Sequence, residues 1–138
     1  MDEVSASPFI ERTDFVTIPT RDVGRAKAFY NGILELPSKS ESPDEFETGN
    51  LTLGLWVPEA EGLPFQPTTA GIALRVRDVH EARARLEAAG VRFEGTEDTG
   101  VCHMAFFHDP DGNLLILHHR YAPRQQAAKH SSPRPEGL

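Results

Sequence analysis

A chain of 138 residues, 38% of them hydrophobic, is long enough for one domain with a real core, or for two small repeated units that share one. Its formal charge of −7 runs against non-specific binding to a phosphate backbone, which needs clustered Lys and Arg to displace counterions, so nucleic acid is not expected as a partner. The single cysteine, Cys102, rules out an internal disulfide and a Cys-based zinc framework, and with no run of about 18 apolar residues and no basic-then-apolar leader the expectation is a cytoplasmic protein with no membrane partner.

Residues 1–12 are polar, acidic and interrupted by proline, and read as a flexible arm. Phe15, Val16, Thr17 and Ile18 have strand composition and stop at Pro19-Thr20. Asp22 then N-caps a predicted helix whose apolar positions Val23, Ala26, Phe29, Tyr30, Ile33 and Leu34 recur at three- and four-residue spacing, and Leu36-Pro37 ends it. The polar segment 38–45 predicts a weak or irregular strand. A strand over 46–48, the turn Gly49-Asn50 and a better strand over 51–57 follow, and three prolines and a glycine make 58–69 a linker.

The second half repeats the first. A strand over 72–76 leads to Asp78, which caps a helix with Val79, Ala82, Leu86 and Ala89 on one face, and Gly90 closes it. A short strand over 91–94 precedes the stretch 101–119, VCHMAFFHDPDGNLLILHH, which predicts a β-hairpin. In its turn, Asp109-Pro110-Asp111-Gly112, proline presets φ, glycine supplies a positive φ, and the aspartates bond back to nearby backbone. At an offset of 56 residues Arg21-Asp22-Val23 matches Arg77-Asp78-Val79, and Ala26 and Ala28 match Ala82 and Ala84. Both halves read βαβββ, over 13–57 and 70–121, and together form one domain of the α+β class. From residue 122 to 138 the chain is rich in Pro, Gln and Ser without periodicity and reads as a disordered tail.

The two βαβββ units, the helix end Ala28-Phe29-Tyr30 followed by Ile33-Leu34-Glu35-Leu36, and the hairpin Asp109-Pro110-Asp111-Gly112-Asn113 together resemble the vicinal oxygen chelate superfamily. That is the glyoxalase I, bleomycin-resistance and extradiol-dioxygenase group. The resemblance implies paired modules that curl into a half-open barrel around a ligand cavity, commonly completed across a homodimer; the twelve-residue linker 58–69 is compatible with pairing within the chain or across the dimer. It also implies four metal-ligand positions on the concave face. They fall on Phe15, Gly54, Gly71 and Ile116, none of which offers the imidazole, carboxylate or thiolate a divalent ion needs at about 2.0 to 2.6 Å. No metal and no other cofactor is therefore expected.

Period-two alternation anchored on those positions puts Phe15, Thr17, Thr52, Gly54, Trp56, Gly71, Ala73, Arg75, Met104, Phe106, His108, Leu114, Ile116 and His118 on the cavity face. Val16, Ile18, Leu74, Val76, Phe107, Leu115 and Leu117 fall on the helix side. The first set mixes Trp, Phe and Met with Thr, Arg and His, as a pocket for a flat ligand would; the second is uniformly apolar, as a core must be. Glycines at 54 and 71 would leave room where other members hold a metal. His118 and His119 are neighbours and so point to opposite faces, as do Cys102 and His103, which leaves neither pair chelating or nucleophilic. His80 lies at a helix start and His130 in the tail, while Asp22, Asp78, Asp109 and Asp111 are caps and turn residues. These residues favour a metal-independent protein that binds a small aromatic or amphipathic metabolite or antibiotic in the manner of the drug-binding branch. Two alternatives stay open. One is a glyoxalase- or dioxygenase-type lyase or oxidoreductase with a metal on His108, His118 and Glu47; the other is a metal-free isomerase or lyase with His118 as general base and Arg75 stabilising an enolate-like oxygen.

Overall fold

In a computed structural model of the chain, residues 8–123 are described. The tail expected over 122–138 lies, beyond Pro123, outside them, as do residues 1–7 of the arm. Strand β1 (Phe15–Pro19) leads into helix α1 (Val23–Lys27), then β2 (Glu45–Glu47) and β3 (Thr52–Trp56). The second half supplies β4 (Ile72–Arg75), α2 (Val79–Ala88), β5 (Phe93–Asp98), β6 (Cys102–His108) and β7 (Leu114–Arg120). They form two open sheets rather than one closed barrel, in the orders β1-β3-β2 and β4-β7-β6-β5. In each the first strand of the module lies parallel to the last, which requires the helical crossover between them.

Both helices begin at an aspartate. Asp22 and Asp78 have extended backbone and accept the N–H of Arg25 and Glu81, each at 3.0 Å, which satisfies a donor the first turn leaves free. The first helix departs from the predicted 3.6-residue pattern. After Lys27 it widens into a π-helical turn over Ala28–Ile33, closed by Leu34 N–H on the Phe29 carbonyl at 2.9 Å. Both Phe29 and Tyr30 are buried by it, two consecutive residues that a regular helix would splay apart. The weak strand expected over 38–45 reduces to a single bridge between Lys39 and Ser42, so the first module is βαββ. In the second, the strand expected at 91–94 runs instead over Phe93–Asp98 with a bulge between Phe93 and Gly95. Its charged half, Glu97 and Asp98, serves an exposed sheet edge.

One core joins the modules. Ile18, Phe46 and Leu53 from the first sheet and Ala105, Phe107, Leu115 and Leu117 from the second are buried together with Phe29, Tyr30, Val79 and Leu86 of the helices. Phe29 packs edge-on to Tyr30 at 5.2 Å and against Phe107 at 6.5 Å, while Tyr30 stacks on Phe46 at 5.7 Å. Val16, Val76 and Ile72 flank this core. Among the described residues both helices lie on this core side, and the opposite faces of the two sheets carry no helix.

Candidate functional site

On the first sheet the register sets Phe15 beside Thr52 and Thr17 beside Gly54. These four line a concavity of about 280 Å³ together with Asp14, Asp44, Glu45 and Leu55. Phe15 is 62% exposed there, unusual for a large apolar side chain on a strand. Thr52 donates its hydroxyl to the Glu47 carboxylate at 3.0 Å. Trp56 lies half-buried at the C-terminal end of β3, opposite Pro19, and does not border this concavity. The acidic wall of Asp14, Asp44 and Glu45 was not among the expected site residues. Only for Glu45 was the signal present in the alternation, since a buried Phe46 puts Glu45 and Glu47 on the open face; Asp14 and Asp44 carried no such mark.

On the second sheet Met104 pairs with His118, Phe106 with Ile116 and His108 with Leu114, while Ala73 and Arg75 flank Ile116 and His118 from β4. Met104, Phe106, Leu114, Ile116 and His118 are half-buried, so this face is a largely apolar shelf with one imidazole in its row. The concavity of the first module contains none of these residues. Within one chain, then, the structure groups the expected residues into two sets, one on each sheet.

The glycines at positions 54 and 71 differ. A methyl group at Gly54 would meet nothing closer than Glu45 Cγ at 3.9 Å, so there is room. At Gly71 the expected room is absent: a Cβ would stand 3.2 Å from Ile116 Cδ1 and 3.3 Å from Leu114 Cδ2, and φ is +81°. The glycine is there because the chain turns tightly against β7. At the four positions that the resemblance assigns to a metal, the side chains of Phe15, Gly54, Gly71 and Ile116 supply no donor atom. Among the described residues no three His, Cys, Asp or Glu side chains are grouped to replace them. His108 faces Glu94 at 3.1 Å, and Glu47 is on the other sheet, so the unconventional set His108, His118 and Glu47 is not assembled within the chain.

His119, His103 and Cys102 have structural partners. His119 Nδ1 lies 3.1 Å from the Val76 carbonyl; His103 lies 3.4 Å from Asp98 and meets the rings of His80 and Tyr121 at tilted angles, centroids 5.2 and 4.6 Å away. Cys102 is buried, 3.9 Å from Arg120 Nη1. His130 lies outside the described residues.

The hairpin turn is an interlock between the modules. Asp109, 5% exposed, accepts the Tyr30 hydroxyl at 2.6 Å, the Asn113 amide at 2.8 Å and the backbone N–H groups of Asp111 and Asn113 at 2.9 and 2.8 Å. Asn113 also donates to the Pro19 carbonyl at 2.9 Å and accepts the N–H of Thr68 at 2.8 Å. Asp111 receives the Thr20 hydroxyl at 2.5 Å, the Arg21 N–H at 3.1 Å and Arg25 Nη2 at 3.0 Å. Burial, and then the Asp109 carboxylate, push the Tyr30 phenol far above its ordinary pKa. Every polar atom in this knot faces a protein partner, which suits it to holding the fold rather than to meeting a ligand.

Comparison with known proteins agrees with this architecture. A family model described as Glyoxalase/Bleomycin resistance protein/Dioxygenase superfamily matches residues 12–117. No match is found among curated proteins. Similar solved structures include a glyoxalase family protein from Bacillus anthracis, 20% identical, covering 83% of this chain and 99% of that one with a TM-score of 0.69. Lactoylglutathione lyase from Agrobacterium tumefaciens is 17% identical and covers 80% of this chain and 95% of its own at a TM-score of 0.66. TnmS3, an antibiotic binding protein from Streptomyces sp. CB03234, is 25% identical and covers 82% and 98%, also at 0.66. A lyase and a binding protein match equally well, so the shared fold does not separate the two activities. The chain belongs to the Glyoxalase/Bleomycin resistance protein/Dioxygenase superfamily.

Proposed function

We propose that the protein binds a small aromatic or amphipathic molecule, a metabolite or antibiotic, without a metal, in a cavity that the two open sheet faces build across a homodimer. The observation that carries this reading is the half-buried apolar row Met104, Phe106, Leu114 and Ile116 on a sheet face that no helix covers. Such a row loses free energy to water at about 25 cal/mol per Å² until something covers it. The second support is the donor set: Phe15, Gly54, Gly71 and Ile116 cannot ligate a divalent ion. The structures the chain resembles include an antibiotic binding protein at 25% identity, which supports a binding role. Affinity in this site comes from buried ligand area. Thr17, Thr52 and His118 supply the few polar contacts, which favours ligands carrying a carbonyl, phenol or carboxylate.

The test is a titration with a panel of aromatic compounds, following the emission of the single tryptophan and repeated by calorimetry. Saturable binding is expected, weakened by about 1 to 3 kcal/mol in Trp56→Ala with folding unchanged, the scale of removing one large aromatic contact. Binding unaffected by Trp56→Ala, or stoichiometric Zn, Fe, Mn or Ni in the purified protein that disappears in His118→Ala, would refute the reading. A monomeric mass at micromolar concentration would refute the shared cavity.

A further inference from the structure

The starts of the two helices are equivalent places in the repeat, and only one of them is filled. At α1, Thr20, Arg21, Arg25 and Tyr30 all bond to the turn at 109–113. The offset of 56 converts these to Val76, Arg77, Glu81 and Leu86, and all four line a groove of about 660 Å³ beside α2. The first module's own hairpin does not reach it, being closed on itself by Thr48 on the Leu51 carbonyl at 2.6 Å. The groups that anchor the turn at α1 are also gone: the hydroxyl of Thr20 becomes Val76, the phenol of Tyr30 becomes Leu86 and the cation of Arg25 becomes Glu81. With Leu74 and Leu117 these give the groove an apolar floor, and its volume lies within the roughly 300–1,000 Å³ of small-molecule sites.

The charges around the floor are unequally engaged. Glu35 is held by Arg85 at 2.6 Å and Asp78 accepts the N–H of Glu81 at 3.0 Å, while the Glu81 carboxylate, which also lines the groove, has no cation partner among the described residues. Among the described residues Arg75 and Arg77 have no carboxylate partner. β4 is an edge strand, and since Val76 donates its N–H to His118 on the sheet side, the N–H groups of Arg75 and Arg77 face the free edge. Glu35, which carries this ion pair, alone among described non-glycine residues has a positive φ, 59°.

We infer that this groove is a second ligand site, on the helix side of the sheet, for an amphipathic organic anion. Its apolar body covers Val76 and Leu86, and its anionic head meets Arg77 and the free N–H groups of β4. The site is independent of the open sheet faces.

The probe is 8-anilinonaphthalene-1-sulfonate, titrated by fluorescence into the full chain and displaced by decanoate or by decyltrimethylammonium. Decanoate should displace it at least about tenfold more effectively than the cation. Ala82→Trp, which fills the groove from α2, should abolish the decanoate-sensitive signal. Arg77→Glu should weaken decanoate by about tenfold, while Arg83→Glu, the same charge change on a part of α2 outside the groove, should leave it unchanged. Equal displacement by both amphiphiles, or a signal that survives Ala82→Trp and is lost in Phe106→Ala, would overturn the inference. So would sedimentation showing that Ala82→Trp splits a dimer, because the groove would then be an interface between copies. If Ala82→Trp fails to fold, unchanged decanoate affinity in the exposed Arg77→Glu variant suffices to reject the site.

Discussion

The two modules of this chain follow one plan and have diverged in what each contributes. The first has a three-residue β2, a bridge in place of a strand, and a π-helical turn that presses Phe29 and Tyr30 inward. The second has two seven-residue strands joined by a turn whose side chains are almost wholly engaged. The short module is held by the long one: α1 starts under Asp109, Asp111 and Asn113, whereas α2 starts beside an open groove. A sequence repeat therefore predicts where caps and strands lie, and does not predict that equivalent surfaces do equivalent work.

Cutting the interlock is the strongest way to break that asymmetry. Asp109→Ala leaves the Tyr30 hydroxyl, one N–H of the Asn113 amide and two backbone N–H groups without their acceptor. Each orphaned group costs about 1 to 3 kcal/mol, with partial relief as water enters, so a loss of about 3 to 5 kcal/mol is expected from urea unfolding. Asp44→Ala, at an exposed site in the first module, should change stability by less than about 0.5 kcal/mol. Comparable small losses in both would mean that the apolar core alone joins the modules.

Tyr30→Phe is a milder cut, expected to cost about 1 to 2 kcal/mol because it removes one donor and leaves Asp109 with three. It also has a pH signature. The native phenol is raised by burial and by Asp109, while the unfolded chain ionises near the ordinary value of 10.0. The stability it confers is therefore complete below pH 10 and declines as pH climbs above it, because only the unfolded state then releases the proton. Tyr121, raised by its bond to Asp98, adds a part of this dependence that Tyr30→Phe leaves in place. Unfolding midpoints between pH 8 and about 11 should fall more steeply in the parent than in Tyr30→Phe. Parallel curves would show that the phenol is not held neutral. Leu86, the equivalent residue in the second module, carries no such group, which makes the effect specific to one half.

Much of this arrangement was legible in the residue pattern. Alternation sent Ile18, Phe107, Leu115 and Leu117 to the core, and Asp22 and Asp78 to the helix caps, because those signals are local and repeat every two or three residues. The widening at Ala28–Ile33 was hidden, since apolar spacing at 29, 30, 33 and 34 fits a regular helix as well as a π-helical one. The polar run 38–45 carried too little pattern to separate a strand from a bridge. The interlock joins Tyr30 to Asp109 and Pro19 to Asn113 across 79 and 94 residues, and a single sequence holds no mark of which distant polar residues will meet. For the same reason the alternation could name the open-face residues but could not tell that Phe15 and Phe106 stand on different sheets.

The two glycines, at positions the resemblance assigns to a metal, give the smallest contrast and the sharpest, because they sit in equivalent halves for unlike reasons. At Gly71 an alanine must adopt φ near +81° and push Ile116 and Leu114 back from 3.2 and 3.3 Å, so about 1 kcal/mol or somewhat more should be lost in denaturant unfolding. At Gly54, in a strand with its nearest neighbour at 3.9 Å, the methyl group enters open space and removes unfolded-state entropy. Stability should then be unchanged or raised by up to about 0.5 kcal/mol. The same methyl narrows the concavity between Thr17 and Glu45, so Gly54→Ala should weaken aromatic ligands while the fold is intact. Weakened binding with full stability assigns that surface to the ligand. A Gly54→Ala protein that unfolds more easily than the parent would instead mean that the first sheet packs against something at this point, and that its open face is not the ligand's.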